Sequence, residues 1–223
     1  MDDEDRQALV ALMIEHQVLK FGEFTLKSGR ISPYFFNLGA ISTGSSIASL
    51  GVAYARRISQ LDLTFDVLFG PAYKGIPIAV ATAQALAEMG ADVGWTFSRK
   101  EAKNHGEGGR FVGAPLQGRV VLVDDVLTVG TAVREAVGLI RAAGAELTAV
   151  VIALDRQELQ DRADSRATAV TSLQAELGIP VVSLLTLQDV IEYLDLKRDH
   201  DKHPREVVEE IKRYQKAYCV RRA

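Results

Sequence analysis

Short runs of consecutive apolar residues alternate along this chain with longer stretches whose apolar positions recur every three or four residues. That alternation predicts the strands and helices of a parallel α/β sheet. The first clear unit spans residues 65–89. Val67-Leu68-Phe69 predicts a buried strand and Gly70-Pro71-Ala72-Tyr73-Lys74-Gly75 the loop after it; a helix starts near Pro77 and stops at Gly90. Proline is tolerated there because the first N–H groups of a helix have no helical partner, and glycine suits the left-handed residue that ends one. Val120-Val121-Leu122-Val123 is apolar on both faces, as the centre of a parallel sheet requires. A helix with Val133, Ala136, Val137 and Ile140 on one face follows and ends at Gly144. Residues 147–154 predict the next strand, finishing at Asp155-Arg156. Helix, strand and helix are then expected over 169–177, 181–185 and 187–196, with Thr186 and Asp189 at capping-box spacing.

Two regions break the alternation. Residues 21–37 hold Phe24-Thr25-Leu26, a Lys27-Ser28-Gly29-Arg30 turn and Tyr34-Phe35-Phe36-Asn37, which predict a hairpin beside the main sheet after a helix over about 6–19. Residues 98–110 form a polar stretch of thirteen with three glycines, expected as a long loop. Loops of that length inside a compact domain are usually functional or disordered. The charged tail predicts a last amphipathic helix over 205–218.

At 223 residues, with 48% hydrophobic and 25% charged, the chain is expected to be one domain, 1–223, large enough to bury its own core. Its net charge of −3 offers no general attraction for nucleic acid or an anionic membrane, so an anion site must be built locally. Cys219 is the one cysteine, and an acidic start, Met1-Asp2-Asp3-Glu4-Asp5, lacks the basic-then-apolar pattern of a signal peptide. With no apolar run long enough to span a membrane, the expected location is the cytoplasm.

The most informative string is Arg119-Val120-Val121-Leu122-Val123-Asp124-Asp125-Val126-Leu127-Thr128-Val129-Gly130-Thr131-Ala132. Ligands of open parallel sheets bind beyond the C-terminal ends of the strands, which is where the two aspartates fall. The turn leads into a helix N-terminus, whose free N–H groups and positive dipole end suit a phosphate. Gly130 permits close backbone approach, Thr128 and Thr131 add hydroxyl donors, and the carboxylates can accept from vicinal sugar hydroxyls. An Asp-Asp pair alone more often just ends a strand, with Thr131 as helix cap. The full string is more specific, and it lacks both the Gly-Lys-Ser/Thr ending of a P-loop and the three-glycine dinucleotide spacing.

The string resembles the binding signature of the phosphoribosyl pyrophosphate (PRPP) family, with Val129 where a small residue or threonine is common. Further segments are similar, in order and spacing, to the orotate phosphoribosyltransferases: residues 24–30, Tyr34-Phe35-Phe36-Asn37, residues 70–75 and Arg99-Lys100-Glu101-Ala102-Lys103-Asn104-His105-Gly106. The resemblance implies a type I phosphoribosyltransferase fold, a parallel-sheet core flanked by helices, with a small hood mainly from residues 1–40 and possible C-terminal contribution. It implies reversible transfer of ribose 5-phosphate from PRPP to orotate in pyrimidine synthesis, giving orotidine 5′-monophosphate and pyrophosphate. Magnesium (Mg2+) would be held mainly through PRPP rather than by a protein metal site.

The resemblance also assigns residues. PRPP falls to Lys27, Tyr73, Lys74, Arg99, Lys100, Lys103, His105, Asp124, Asp125 and the turn Val126, Leu127, Thr128, Val129, Gly130, Thr131 and Ala132; orotate falls to Phe35, Phe36, Thr128 and Arg156. Lys100, Lys103, His105, Asp124 and Asp125 are the catalytic candidates. The stretch 99–110 carries Arg99, Lys100, Lys103 and Arg110 against Glu101 and Glu107, a balance of +2 that suits a departing pyrophosphate. In the family this loop reaches the neighbouring subunit's site, which implies a homodimer. Read without the resemblance, Lys27 and Lys74 could be solvated surface residues, adjacent phenylalanines more often mean core, and Arg156 could be an exposed arginine beginning a helix. A transferase for another nucleobase and a non-catalytic PRPP-sensing regulator remain alternatives.

Overall fold

The computed structural model describes residues 1–26, 28–103, 109–127, 130–160, 167–197 and 205–220. Among them the chain forms a six-stranded sheet in the order β5-β4-β3-β6-β7-β8 and a separate two-stranded ribbon, β1-β2. The sheet strands are β3 (Val67–Phe69), β4 (Gly94–Lys103), β5 (Gly109–Gly113), β6 (Arg119–Val126), β7 (Glu146–Asp155) and β8 (Val181–Thr186). All neighbours run parallel except β4 and β5, an antiparallel pair at one edge.

Side chains alternate across this sheet and divide the core in two. Leu68, Val121, Val123, Ala149, Val151 and Ala153 face one layer; Phe69, Val120, Leu122, Val150 and Ile152 face the other. The first layer holds α1 (Asp3–Glu15), α2 (Gly44–Ser59), α3 (Gly75–Glu88), α6 (Leu187–Leu196) and α7 (Arg205–Tyr218). The second holds α4 (Thr131–Ala142) and α5 (Ala169–Leu177). The faces expected for α4 and the bounds expected for α5, α6 and α7 are those found, and Thr186 and Asp189 do close a capping box. No helix among the described residues is long and apolar enough to cross a membrane.

Two expectations change, and the bounds of two further helices are added. The first helix spans Asp3–Glu15, not 6–19: the Asp2 side chain caps it by accepting the Asp5 N–H at 2.8 Å, and three acidic residues in its first turn favour the positive dipole end. Gln17 then takes a left-handed φ of 56°, and Leu19 already begins β1 (Leu19–Thr25), paired with β2 (Ile31–Phe36). Helix α2 had no forecast; it packs against α3 so closely that a Cβ on Gly51 would lie 2.5 Å from the Ala81 carbonyl oxygen. Helix α3 begins at Gly75, two residues before Pro77. Finally, the described part of the polar stretch 98–110 is strand: β4 runs through Lys103, which pairs with Gly109 of β5, while residues 104–108 lie outside the described residues. Trp95 is half-buried in β4 and stacks on Phe97.

Candidate active site

The chain leaves β3 through α3 for β4 on one side of the sheet, and leaves β6 through α4 for β7 on the other. Adjacent β3 and β6 therefore form the switch point where an open parallel sheet has a crevice at its C-terminal edge. Two loops border it. The first, after β3, turns back so tightly that a Cβ on Gly70 would lie 2.1 Å from the Gly75 carbonyl oxygen; only glycine fits there. It carries Tyr73, 69% exposed, after a cis peptide bond, and Lys74, the residue before α3.

The second border is the end of β6. Lys74 Nζ meets Asp125 Oδ2 at 2.6 Å and so ties the two loops together across the switch point. Asp125 Oδ1 accepts the Val126 N–H at 2.7 Å, and Asp124 Oδ1 accepts the Asp125 N–H at 2.9 Å. Asp124 is only 8% exposed, and the Tyr54 hydroxyl of α2 donates to its carbonyl oxygen at 2.7 Å. Burial, followed by the neighbouring Asp125 charge, pushes the Asp124 carboxyl up from 3.8 to about 7, against the opposing pull of the Asp125 N–H and Lys74. Such a group is stabilised as a carboxylate by any ligand that brings hydroxyl donors to it.

Beyond Val126 and the buried Leu127 the chain enters α4 through Gly130, whose φ of 74° makes it the N-cap in place of Thr131. No side chain among the described residues caps α4, so the first-turn N–H groups around Thr131 and Ala132 point at the crevice end.

The hairpin and the end of β7 hold the candidates for the base. In β2, Ser32, Tyr34 and Phe36 are buried while Ile31 and Phe35 face outward. The Phe35 ring stacks on Phe24 at 5.4 Å. Arg156 follows β7 at the same sheet edge as Asp124 and lies on the inner side of β2: its guanidinium sits 4.3 Å above the Tyr34 ring and donates to Ser32 Oγ at 3.2 Å. Arg156 and the Phe35 ring are thus on opposite faces of the ribbon. Arg156 also pairs with Glu158 at 2.6 Å, a partner two residues away that sequence reading passed over, as it did Tyr54 and Ser32.

The crevice therefore unites Lys74, Asp124, Asp125 and the start of α4. Arg99 is half-buried in β4, with the backbone of Lys100 and Lys103 in the same strand. Lys27, His105, Thr128 and Val129 lie outside the described residues. Among those described, no group of three His, Cys, Asp or Glu could cage a metal ion. The acidic pair already accepts two backbone N–H groups and an ammonium, a donor set that fits a magnesium carried on ligand oxygens better than one chelated by protein.

Comparison with known proteins identifies the family and the fold. Residues 41–186 match the family model of the phosphoribosyl transferase domain. The chain is 57% identical to an orotate phosphoribosyltransferase of Thioalkalivibrio sulfidiphilus, over 87% of this chain and 90% of that one. Its fold is similar to the crystal structure of orotate phosphoribosyltransferase from Francisella tularensis, with a TM-score of 0.80 and 39% identity over 95% of this chain and 99% of that one. It is also similar, with a TM-score of 0.63 and 25% identity over 83% of this chain and 98% of the other, to the Mycobacterium tuberculosis orotate phosphoribosyltransferase in complex with 5-phospho-α-D-ribosyl 1-diphosphate.

Proposed function

The chain belongs to the orotate phosphoribosyltransferase family, and we propose that its switch-point crevice binds PRPP while the end of β7 recognises orotate. The reaction transfers ribose 5-phosphate from PRPP to orotate, giving orotidine 5′-monophosphate and pyrophosphate in UMP synthesis. The observation that carries the assignment of the crevice is the Lys74–Asp125 pair beside the buried Asp124.

Breaking the bond from C1 to the pyrophosphate oxygen leaves positive charge on the ribose and negative charge on the departing group. Rate is gained by stabilising that separated charge more than the ground state. Asp124 and Asp125 accept from the ribose hydroxyls and stand near the developing positive charge. Lys74 exchanges Asp125 for the pyrophosphate, which Tyr73, Arg99, Lys100, Lys103 and His105 also approach, with Lys27 from the hairpin turn. Magnesium on the pyrophosphate would neutralise part of the leaving group. The turn 126–132 takes the 5′-phosphate on N–H groups at the start of α4. Arg156 binds the orotate carboxylate, while the backbone of Phe35 and Phe36 and the Thr128 hydroxyl reach the ring edge.

The whole chain acts as one catalytic unit in the cytoplasm, with the β1-β2 ribbon and α7 forming its hood. Two such chains form a homodimer in which the 99–110 segment works in the partner's crevice. Calorimetric titration with PRPP and magnesium tests the crevice: Lys74→Ala and Asp125→Asn should each weaken binding at least about tenfold, the equivalent of one charged hydrogen bond. Unchanged affinity in both would place PRPP elsewhere. For the shared site, inactive Lys100→Ala and Asp125→Asn chains are mixed under subunit exchange. Activity should return, and mixed dimers without activity would refute trans action.

A further inference from the structure

The C-terminal helix α7 has no part in the chemistry above, yet it closes on the segment that carries Arg156. Leu159 N–H donates to the Tyr218 carbonyl at 2.8 Å, Val220 N–H donates to that of Gln157 at 3.0 Å, and Glu158 bridges to Cys219. Inside this junction Glu158 is the common acceptor. Arg156 Nε and Nη2 lie 2.7 and 2.6 Å from its Oε1, the Tyr214 hydroxyl of α7 donates to the same atom at 2.7 Å, and Arg30 Nη1 lies 3.6 Å from Oε2. Both guanidiniums rest on tyrosine faces, Arg156 on Tyr34 and Arg30 on Tyr218, at 4.3 and 4.4 Å. The Tyr214 ring meets Tyr34 edge-on at 6.0 Å and so joins the two halves of the stack.

The charges explain why Glu158 need not silence Arg156. Two guanidiniums face one carboxylate, so this trio keeps a net positive charge for an incoming anion. Arg156 is 13% exposed, and burial works against its charged form; nevertheless Tyr34 and Glu158 outweigh burial and hold its pKa above the usual arginine value. A long arginine side chain loses much rotamer freedom when it docks a ligand, and a guanidinium already held in place avoids most of that cost.

We propose that Glu158 and Tyr214 are positioning residues for Arg156, so that α7, through the Tyr214 hydroxyl, sets the enzyme's selectivity for a base bearing a carboxylate. This rests on the reading of Arg156 as the carboxylate's partner. The test is steady-state kinetics of Tyr214→Phe and Glu158→Gln with orotate, PRPP and magnesium, together with calorimetric binding of orotidine 5′-monophosphate and of uridine 5′-monophosphate, which lacks the carboxylate. Tyr214→Phe should raise KM for orotate about three- to tenfold, the loss of one hydrogen bond to a charged group. Its kcat and KM for PRPP should stay within about twofold. Affinity should fall for orotidine 5′-monophosphate alone, and Glu158→Gln should show the same pattern more strongly. An unchanged KM for orotate, or parallel losses for both nucleotides with a lower melting temperature, would overturn the proposal and leave α7 a structural strut. Arg156→Ala separates the two claims. If it leaves KM for orotate unchanged, the reading of Arg156 itself fails; if it raises KM while the other two variants do not, only the positioning role fails.

Discussion

Replacing Asp124 with asparagine should make the ligand-free protein more stable, and increasingly so as pH rises. Asparagine keeps the shape of the buried side chain and can still accept the Asp125 N–H through Oδ1, but it carries no titrating proton. In the wild type, burial and the Asp125 charge raise the carboxyl from 3.8 to about 7. The folded protein therefore holds a proton over an interval in which the unfolded chain has released it. The stability this contributes is fully present below pH 4, falls as pH climbs, and is gone above pH 7. At about 1.36 kcal/mol per pH unit, and with the folded-state group half-titrated at pH 7, the part of that interval between pH 5 and pH 7 is worth roughly 2 kcal/mol. Other titrating groups, such as Asp155, which burial also pushes up, cancel in the difference between variant and wild type. Urea denaturation at pH 5, 6, 7 and 8 measures that difference. The variant should gain on the wild type by about 2 kcal/mol from pH 5 to 7 and level off beyond. A difference that stays constant across the series would refute the buried-carboxylate reasoning.

Other perturbations act on single contacts. Tyr54→Phe removes the buried hydroxyl that donates to the Asp124 carbonyl, and should lower unfolding free energy by about 1–2 kcal/mol with an unchanged urea m-value. Lys74→Ala breaks a half-exposed ion pair, so stability should change by less than about 1 kcal/mol. Because Lys74 pulls the Asp124 pKa down, its loss should shift the pH at which the stability difference levels off to above 7, read from the same urea series. Gly51→Ala sets a methyl against the Ala81 backbone and should cost about 1–3 kcal/mol, seen by calorimetry as a melting temperature lower by several degrees.

Where local chemistry decides structure, the sequence was a good guide. Helix α6 begins where Thr186 and Asp189 cap it, and α4 carries the face expected from its apolar spacing. The crevice was legible for the same reason: an apolar strand, two acidic residues and a glycine turn occupy consecutive positions. Helix α2 was not, because Ser46 and Gly51 dilute its buried face, and what it needs is close approach to α3 rather than bulk. Arg99, Lys100 and Lys103 resembled loop because they are polar; they extend as strand in β4, which pairs with β5 at Ser98 and at Lys103, and polar composition does not announce it. Arg156 stood out by its place after β7, yet the contact of its partner Glu158 with Tyr214, 58 positions downstream of Arg156, is a property of the fold. The Asp155 and Asp124 environments likewise depend on what other elements bury.

The most direct test of the central claim mixes the protein with PRPP and magnesium and offers orotate or adenine. Loss of orotate absorbance and release of pyrophosphate are followed together. Pyrophosphate should appear in equal amount to the orotate consumed, with no turnover of adenine and with Arg156→Ala selectively weakened toward orotate. Turnover of adenine without orotate, or no pyrophosphate from either base, would contradict the assignment.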